Sequence, residues 1–293
     1  MAVEERDPLT GYLTTGHEWN GIKELNTPVP RPVWFFLITT ALFSLGYWIL
    51  MPAWPIGVSY TKGLLGIDQR NILAESLKNA ALERSVWTRR IESESYAQIQ
   101  ADPQLMQAVR QTGHALFADN CAVCHGSKAT GGKGYPNLTT NSWLYGGTPE
   151  QIFETILVGI NSAHADSRIA EMPAFGGSQM LPRADIEKVA RYVQALSDPA
   201  ARQKLGAAAF EEGHKIFAAS CASCHGEDAK GLIETGAPDL TDPYWIYGGS
   251  LAAIYDTLWN GRKGHMPTWE GRLSALDRKI LALYLVDLRG RKQ

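Results

Sequence analysis

The chain has 293 residues, 45% of them hydrophobic, more than one ordinary domain needs, which points to about two folded units plus linker, tail or membrane segment. A formal net charge of -2 and an isoelectric point near 6.4 supply no basic field for nucleic acid and no acidic tail, so electrostatics names no partner. Four cysteines in two Cys-x-x-Cys pairs leave disulfides, zinc and covalent heme open until their neighbours are read.

After a mixed polar segment over residues 1–32, no charged residue occurs from Val33 to Thr61. The stretch VWFFLITTALFSLGYWILM, Val33 to Met51, would rise about 28 Å as a helix, close to the roughly 30 Å hydrocarbon core of a bilayer. It predicts a transmembrane helix over 33–54. Pro32 suits a first helical turn, Pro52 and Pro55 end the run, and Trp34, Tyr47, Trp48 and Trp54 lie toward its ends as interfacial anchors do. A buried core helix would be shorter or carry a polar stripe. A cleaved signal peptide would not follow a long polar segment or lack a small-residue cleavage site. The segment therefore reads as an uncleaved anchor in a lipid bilayer. Lys23 and Arg31 before it are balanced by Lys62 and Arg70 after it, so the positive-inside rule does not orient it.

Residues 55–104 form a linker. Within it Asn71 to Gln100 is rich in helix formers, but Ile72, Leu77, Leu82 and Val86 are too irregularly spaced for a core face, predicting a partly helical, mostly solvated connector.

From about Leu105 the chain repeats itself. GHALFADNCAVCHG aligns with GHKIFAASCASCHG at an offset of 100, YPNLTTNSWLYGG with APDLTDPYWIYGG at 102, and EMPAFGG with HMPTWEG at 94. LPRADIEKVARYVQALS then answers to LSALDRKILALYLVDLR. The first copy carries an insertion in GINSAHADSRIA, which holds His164. A period of this size makes each copy a domain rather than a solenoid unit: 105–198 and 206–293, divided near SDPAARQKLG. The segment before each cysteine pair reads as a helix, with Val109, Gly113, Leu116 and Phe117 matched by Ala209, Gly213, Ile216 and Phe217. The last segment of each copy is helical too, with Ile186, Val189, Ala190, Val193 and Leu196 at helical spacing. Ser274 with Asp277 marks a capping box. Gly131 to Gly147 and Ala229 to Gly249 read as loop, and no stretch alternates convincingly as a strand. The fold class expected is all-α: an N-terminal single transmembrane helix followed by two small helical domains.

Each cysteine pair is closed by histidine: CAVCH and CASCH. Cys-x-x-Cys-His is the c-type heme attachment pattern. Two thiols add across the heme vinyl groups, the two-residue spacer lets both reach one macrocycle edge, and the next histidine presents a nitrogen to the iron. Cys121, Cys124 and His125 would hold one heme c, and Cys221, Cys224 and His225 a second. Zinc would need four ligands in reach, whereas the pairs sit in separate copies. A thioredoxin-like pair needs a strand–helix setting that is absent, and structural disulfides leave the repeated histidine unexplained. Covalent heme attachment occurs outside the cytoplasm. It places the N-terminus in the cytoplasm and the heme domains in the periplasm of a bacterial inner membrane.

Methionine opposite histidine closes heme iron for electron transfer and raises its potential. Met172 and Met266 both occur as Met-Pro before an aromatic residue at equivalent places in the repeat, and they are the axial candidates. Proline after the ligand would fix backbone direction at small entropic cost. Met180 has no counterpart and reads as packing. His114 and His214 read as outer-helix residues, His164 as a residue near a heme edge or a partner, and His265 as exposed or near a propionate. Tyr145 and Tyr247, each followed by Gly-Gly, read either as pocket lining or as packed turns.

One anchor before two such domains, with TTGHEWNGIKELNTPVPRP ahead of the anchor, resembles the diheme cytochrome c subunit of cbb3-type cytochrome c oxidases (subunit III, FixP or CcoP). The resemblance covers nearly the whole chain. It implies two cytochrome c domains relaying electrons from a donor cytochrome c toward a monoheme cytochrome c subunit and a catalytic subunit with b-type heme and copper. There oxygen is reduced and protons are pumped. It also implies the ligand sets Cys121, Cys124, His125 and Met172, and Cys221, Cys224, His225 and Met266. No base, nucleophile or open metal site is visible, so the chain alone is not expected to be a catalyst. The alternatives are a diheme peroxidase-like enzyme, an electron-transfer subunit of another periplasmic dehydrogenase, or a gas-binding heme module.

Overall fold

The computed structural model of the chain describes residues 5–290; the outer ends of the N-terminal segment and of the second copy lie outside the described residues. The chain divides into two units, residues 1–83 and 84–293.

The first unit opens on a hairpin that the alternation in the sequence does not announce. Strands β1 (Thr14–Trp19) and β2 (Ile22–Leu25) pair antiparallel, with Trp19 opposite Ile22 and Glu18 opposite Lys23. Asn20 and Gly21 make the turn, both with left-handed backbone at φ 54° and 83°. Asn-Gly is the pair that a tight two-residue hairpin turn requires. Helix α1 (Arg31–Leu50) follows, with Pro32 in its first turn and apolar side chains exposed all round. Its length and mean hydropathy of 1.8 suit a membrane crossing. The helix stops at Leu50 rather than 54 because Pro52 cannot continue it. The amides of Leu64 and Leu65 return to the carbonyls of Ile49 and Leu50, at 2.9 and 3.1 Å, satisfying acceptors that a helix end leaves free. Gly63 permits this approach: it has φ 69°, and any side chain there would strike the Leu50 backbone. Helix α2 (Gln69–Ser93) continues into the second unit.

Most of the connector is solvated as expected, with Ile72, Leu77, Leu82 and Val86 all exposed, and only its far end is buried. Ile91 near the end of α2 and Ile99 in α3 (Tyr96–Ala101) are fully buried in the first core of the second unit. There follow α4 (Pro103–Asn120), capped by Asp102, α5 (Ala122–His125), α6 (Pro149–Val158), β3 (Glu171–Met172) and α7 (Arg183–Ser197). Next come α8 (Pro199–Leu205), capped by Asp198, α9 (Ala207–Ser220), α10 (Ala222–His225), α11 (Leu251–Asn260), β4 (Arg262–Lys263) and α12 (Ala275–Gly290). The Ser274–Asp277 capping box at α12 forms as expected. Thr148 caps α6 in a reciprocal box with Gln151. Thr148→Ala should lower stability by about 1 kcal/mol in denaturant unfolding, with helix content unchanged.

The two sequence copies exchange helices. The first core joins α4 and α6 of copy one to α12 of copy two; the second joins α9 and α11 of copy two to α7 of copy one. Phe117 and Phe217 are each almost wholly buried at the two centres. Gly113 of α4 lies against Tyr284 of α12, and Gly213 of α9 lies against Tyr192 of α7. Arg110 of α4 reaches Asp287 of α12 at 3.2 Å. Connection length explains the crossing: α7 and α9 are consecutive, joined only by the short α8, and consecutive elements tend to pack as neighbours. The expected face of α9 shifts by one residue, since Phe210 packs inward and Ala209 is exposed.

Candidate functional site

Both Cys-x-x-Cys-His motifs are built alike. The preceding helix ends at the first cysteine, whose amide closes on Phe117 or Phe217 at 2.8 Å, and the histidine amide returns to that cysteine's carbonyl at 3.0 Å. Gly126 and Gly226 then turn the chain with φ 77°, a conformation that glycine adopts without the Cβ penalty. Each motif thus makes one tight turn, α5 or α10, with two residues between its two cysteines.

The histidines are oriented by their second nitrogen. His125 Nδ1 donates to the Pro136 carbonyl and His225 Nδ1 to the Pro238 carbonyl, each at 3.1 Å. A carbonyl can only accept, so Nδ1 carries the hydrogen and Nε2 is left with the lone pair that binds a metal. Burial pushes both histidines below their ordinary pKa, the carbonyl bond opposing it. Burial also raises the Cys121 and Cys221 thiols to about 11, the reverse of the depressed pKa of a redox-active cysteine.

Two adjoining cavities serve these motifs. One, of about 530 Å³, is lined by Cys121, Cys124 and His125, by Cys221, Cys224 and His225, and by Met172 and Met266. The other, of about 670 Å³, is lined by His125, Tyr145 and Met266. Volumes of this order suit a cofactor. Among the described residues, no group of three or more His, Cys, Asp or Glu side chains has metal-holding geometry. The donor set fits covalent heme: two thiols, an oriented imidazole and a thioether at each of two places. Arg168 adds a polar feature, because its Nε is buried without a hydrogen-bond partner while its guanidinium lies 4.8 Å from the ring of the cavity-lining Tyr145. A heme carboxylate is the kind of group that would satisfy it.

The two methionines pack across the sequence copies. Met266 packs in the core that holds Cys121, and Met172 packs in the core that holds Cys221. Packing thus groups Met266 with the Cys121 motif and Met172 with the Cys221 motif, although all of these side chains line the smaller cavity together. The cause is the helix exchange: each methionine precedes a C-terminal helix that has crossed to the other copy. Backbone bonds hold the crossing. Met266 and Ile160 exchange two bonds at 2.9 Å, and β3 pairs antiparallel with β4, placing Met172 opposite Arg262. Thr268 Oγ1 donates to the Leu157 carbonyl at 2.6 Å.

The other candidates fall around this frame. Met180 lines the smaller cavity, yet it is 55% exposed rather than packed. His114 is exposed on α4, and His214 lies 5.7 Å from the ring of Tyr192. His164 meets Glu270 at 3.4 Å, tying the insertion to the second copy, and exposed His265 donates from Nδ1 to the Asn161 carbonyl at 2.9 Å. Tyr145 is buried, donates to the Ile169 carbonyl at 3.0 Å and lines the larger cavity; Tyr247 lines the smaller one. Sequence reading missed Asn161 and Arg168, which carry no motif and have no counterpart at matching repeat positions.

Comparison with known proteins places the whole chain. Residues 11–58 match the family model described as the N-terminal domain of cytochrome oxidase-cbb3, FixP. Residues 108–193 and 208–285 match that of cytochrome c oxidase, cbb3-type, subunit III. The chain is 46% identical over 288 residues to the cbb3-type cytochrome c oxidase subunit FixP of Bradyrhizobium sp. (strain ORS 278), covering 98% of each chain. It is 44% identical to that of Bradyrhizobium diazoefficiens, again over 98% of each. Against subunit CcoP of Azospirillum brasilense it is 40% identical over 100% of both. An apolar N-terminal helix, two Cys-x-x-Cys-His turns and relatedness over 98% or more of the chain converge on one conclusion: the chain belongs to the family of cbb3-type cytochrome c oxidase subunit III, the electron-transfer cytochrome c subunit of that oxidase.

Proposed function

We propose that the chain carries two covalent c-type hemes and relays electrons from a donor cytochrome c into the oxidase, without itself reducing oxygen. The observation that carries this reading is the pair of matched Cys-x-x-Cys-His turns facing one cavity together with Met172 and Met266. Heme iron supplies a one-electron couple when bound. Cys121 and Cys124, and Cys221 and Cys224, supply the thioether sulfurs. His125 and Met266 would hold the iron of one site, and His225 and Met172 that of the other. A histidine and a methionine at each iron would keep small ligands off the metal, and the thioether would favour the reduced state. Phe117, Phe175, Phe217 and Ile254 line the cavity and exclude water, so little solvent reorganises when charge moves. The shared cavity supports passage between the two sites within one chain.

Helix α1 anchors the chain by a single pass of the bacterial inner membrane, with the N-terminus cytoplasmic and both heme turns periplasmic. The partners in this reading are a monoheme cytochrome c subunit and a catalytic subunit with b-type heme and copper, and proton translocation belongs to that assembly. Mild detergent extraction of the tagged chain should bring down b-type heme and copper along with c-type heme. A chain recovered free of both contradicts the proposal.

A further inference from the structure

Between α6 and β3, Asn161 makes bonds that no neighbouring residue makes. Its backbone is left-handed, φ 47°, a conformation that asparagine tolerates better than most residues. Its Nδ2 donates to two carbonyls, Ala170 at 2.8 Å and Gly264 at 2.6 Å, and its Oδ1 accepts from the Ala170 amide at 3.3 Å. Its own carbonyl accepts from His265 Nδ1 at 2.9 Å, and its amide donates to Arg168 at 2.7 Å. Ala170 lies two residues before Met172, and Gly264 two before Met266. The adjacent Ile160 exchanges both backbone bonds with Met266.

We infer that Asn161 is a positioning residue for both axial methionines at once, a single amide pinning the two ligand strands to each other. This rests on the axial roles proposed for Met172 and Met266. Only a primary amide meets the need: both hydrogens of Nδ2 are spent, one on each strand, while Oδ1 accepts from the first. Aspartate would lose both donated bonds. The two iron sites are thereby coupled mechanically, because slack introduced at this residue reaches both thioethers.

The test uses the full heme-loaded chain in detergent. Asn161→Gly accepts the same φ and removes the side chain, so it isolates the amide from backbone strain; Asn161→Asp removes the donors and keeps an acceptor. Ser162→Ala is the control, since Ser162 Oγ bonds only locally, donating to the Val158 carbonyl at the end of α6 and accepting from the His164 amide, and touches neither methionine segment. The readouts are the red charge-transfer band of methionine-ligated ferric heme, the reduction potential of each heme, and carbon monoxide binding to the reduced protein. Both Asn161 variants should raise carbon monoxide access about fivefold or more at each heme, weaken the red band and shift both potentials. Ser162→Ala should change none of these. Unchanged bands in Asn161→Gly overturn the inference, as does an effect at one heme alone or an equal effect in Ser162→Ala. Met172→Ala and Met266→Ala separate the two readings. If each opens one heme while Asn161→Gly opens none, the axial reading stands and the pin falls. If neither opens a heme, both fall.

Discussion

In a chain that keeps heme only at Cys121 and Cys124, with Cys221 and Cys224 replaced by alanine, Met266→Ala opens the iron to carbon monoxide and Met172→Ala leaves it closed. The converse holds in a chain that keeps only Cys221 and Cys224. The expectation follows from packing: Met266 shares a core with Cys121, and Met172 shares one with Cys221. Loss of the thioether converts a six-coordinate low-spin site into an open one, so the readout is nearly all-or-none, and the opened site's potential falls. Pairing within each sequence copy predicts the opposite result in every chain.

Gly213→Val should lower stability by about 3 kcal/mol, read as a shift in the denaturant midpoint of the heme-loaded chain. A Cβ on Gly213 would strike the Cβ of Tyr192 and come within 3.0 Å of the Lys188 carbonyl. Both obstacles sit at or next to backbone, so rotamer changes cannot relieve them, and α9 must move away from α7. The identity of the partner is the sharper point. Gly213→Ala should couple to Tyr192→Ala in a double-mutant cycle by about 1 kcal/mol and show no coupling to Tyr284→Ala. Tyr284 is the equivalent residue of Gly213's own copy, but it packs on Gly113.

These two results concern the part of the fold that sequence reasoning could not reach. The cysteine–histidine turns, the proline-bearing methionines and the apolar helix were legible because each depends on local spacing. Gly113, Gly213, Tyr192 and Tyr284 were visible as repeat positions, but a duplicated chain offers each glycine two equivalent tyrosines. Local pattern is identical for the two choices, and only the brevity of α8 favours the crossed one. The hairpin was legible and was missed: Asn20-Gly21 between Trp19 and Ile22 is a turn signal in its own right, although β1 is too exposed for alternation to show. Ile91 and Ile99 looked solvated because their core is supplied by distant segments, including Leu281 and Leu283 of α12. Asn161 could not be found from sequence at all, since two of its partners, Gly264 and His265, reach it only through the crossing.

The central claim is that two closed iron sites draw their thioethers from opposite copies. The most direct measurement is an experimental structure of the heme-loaded chain with iron located by its anomalous signal. The expected maps place one iron between His125 and Met266 and the other between His225 and Met172. Iron found between His125 and Met172, or a heme lacking either methionine, would contradict it.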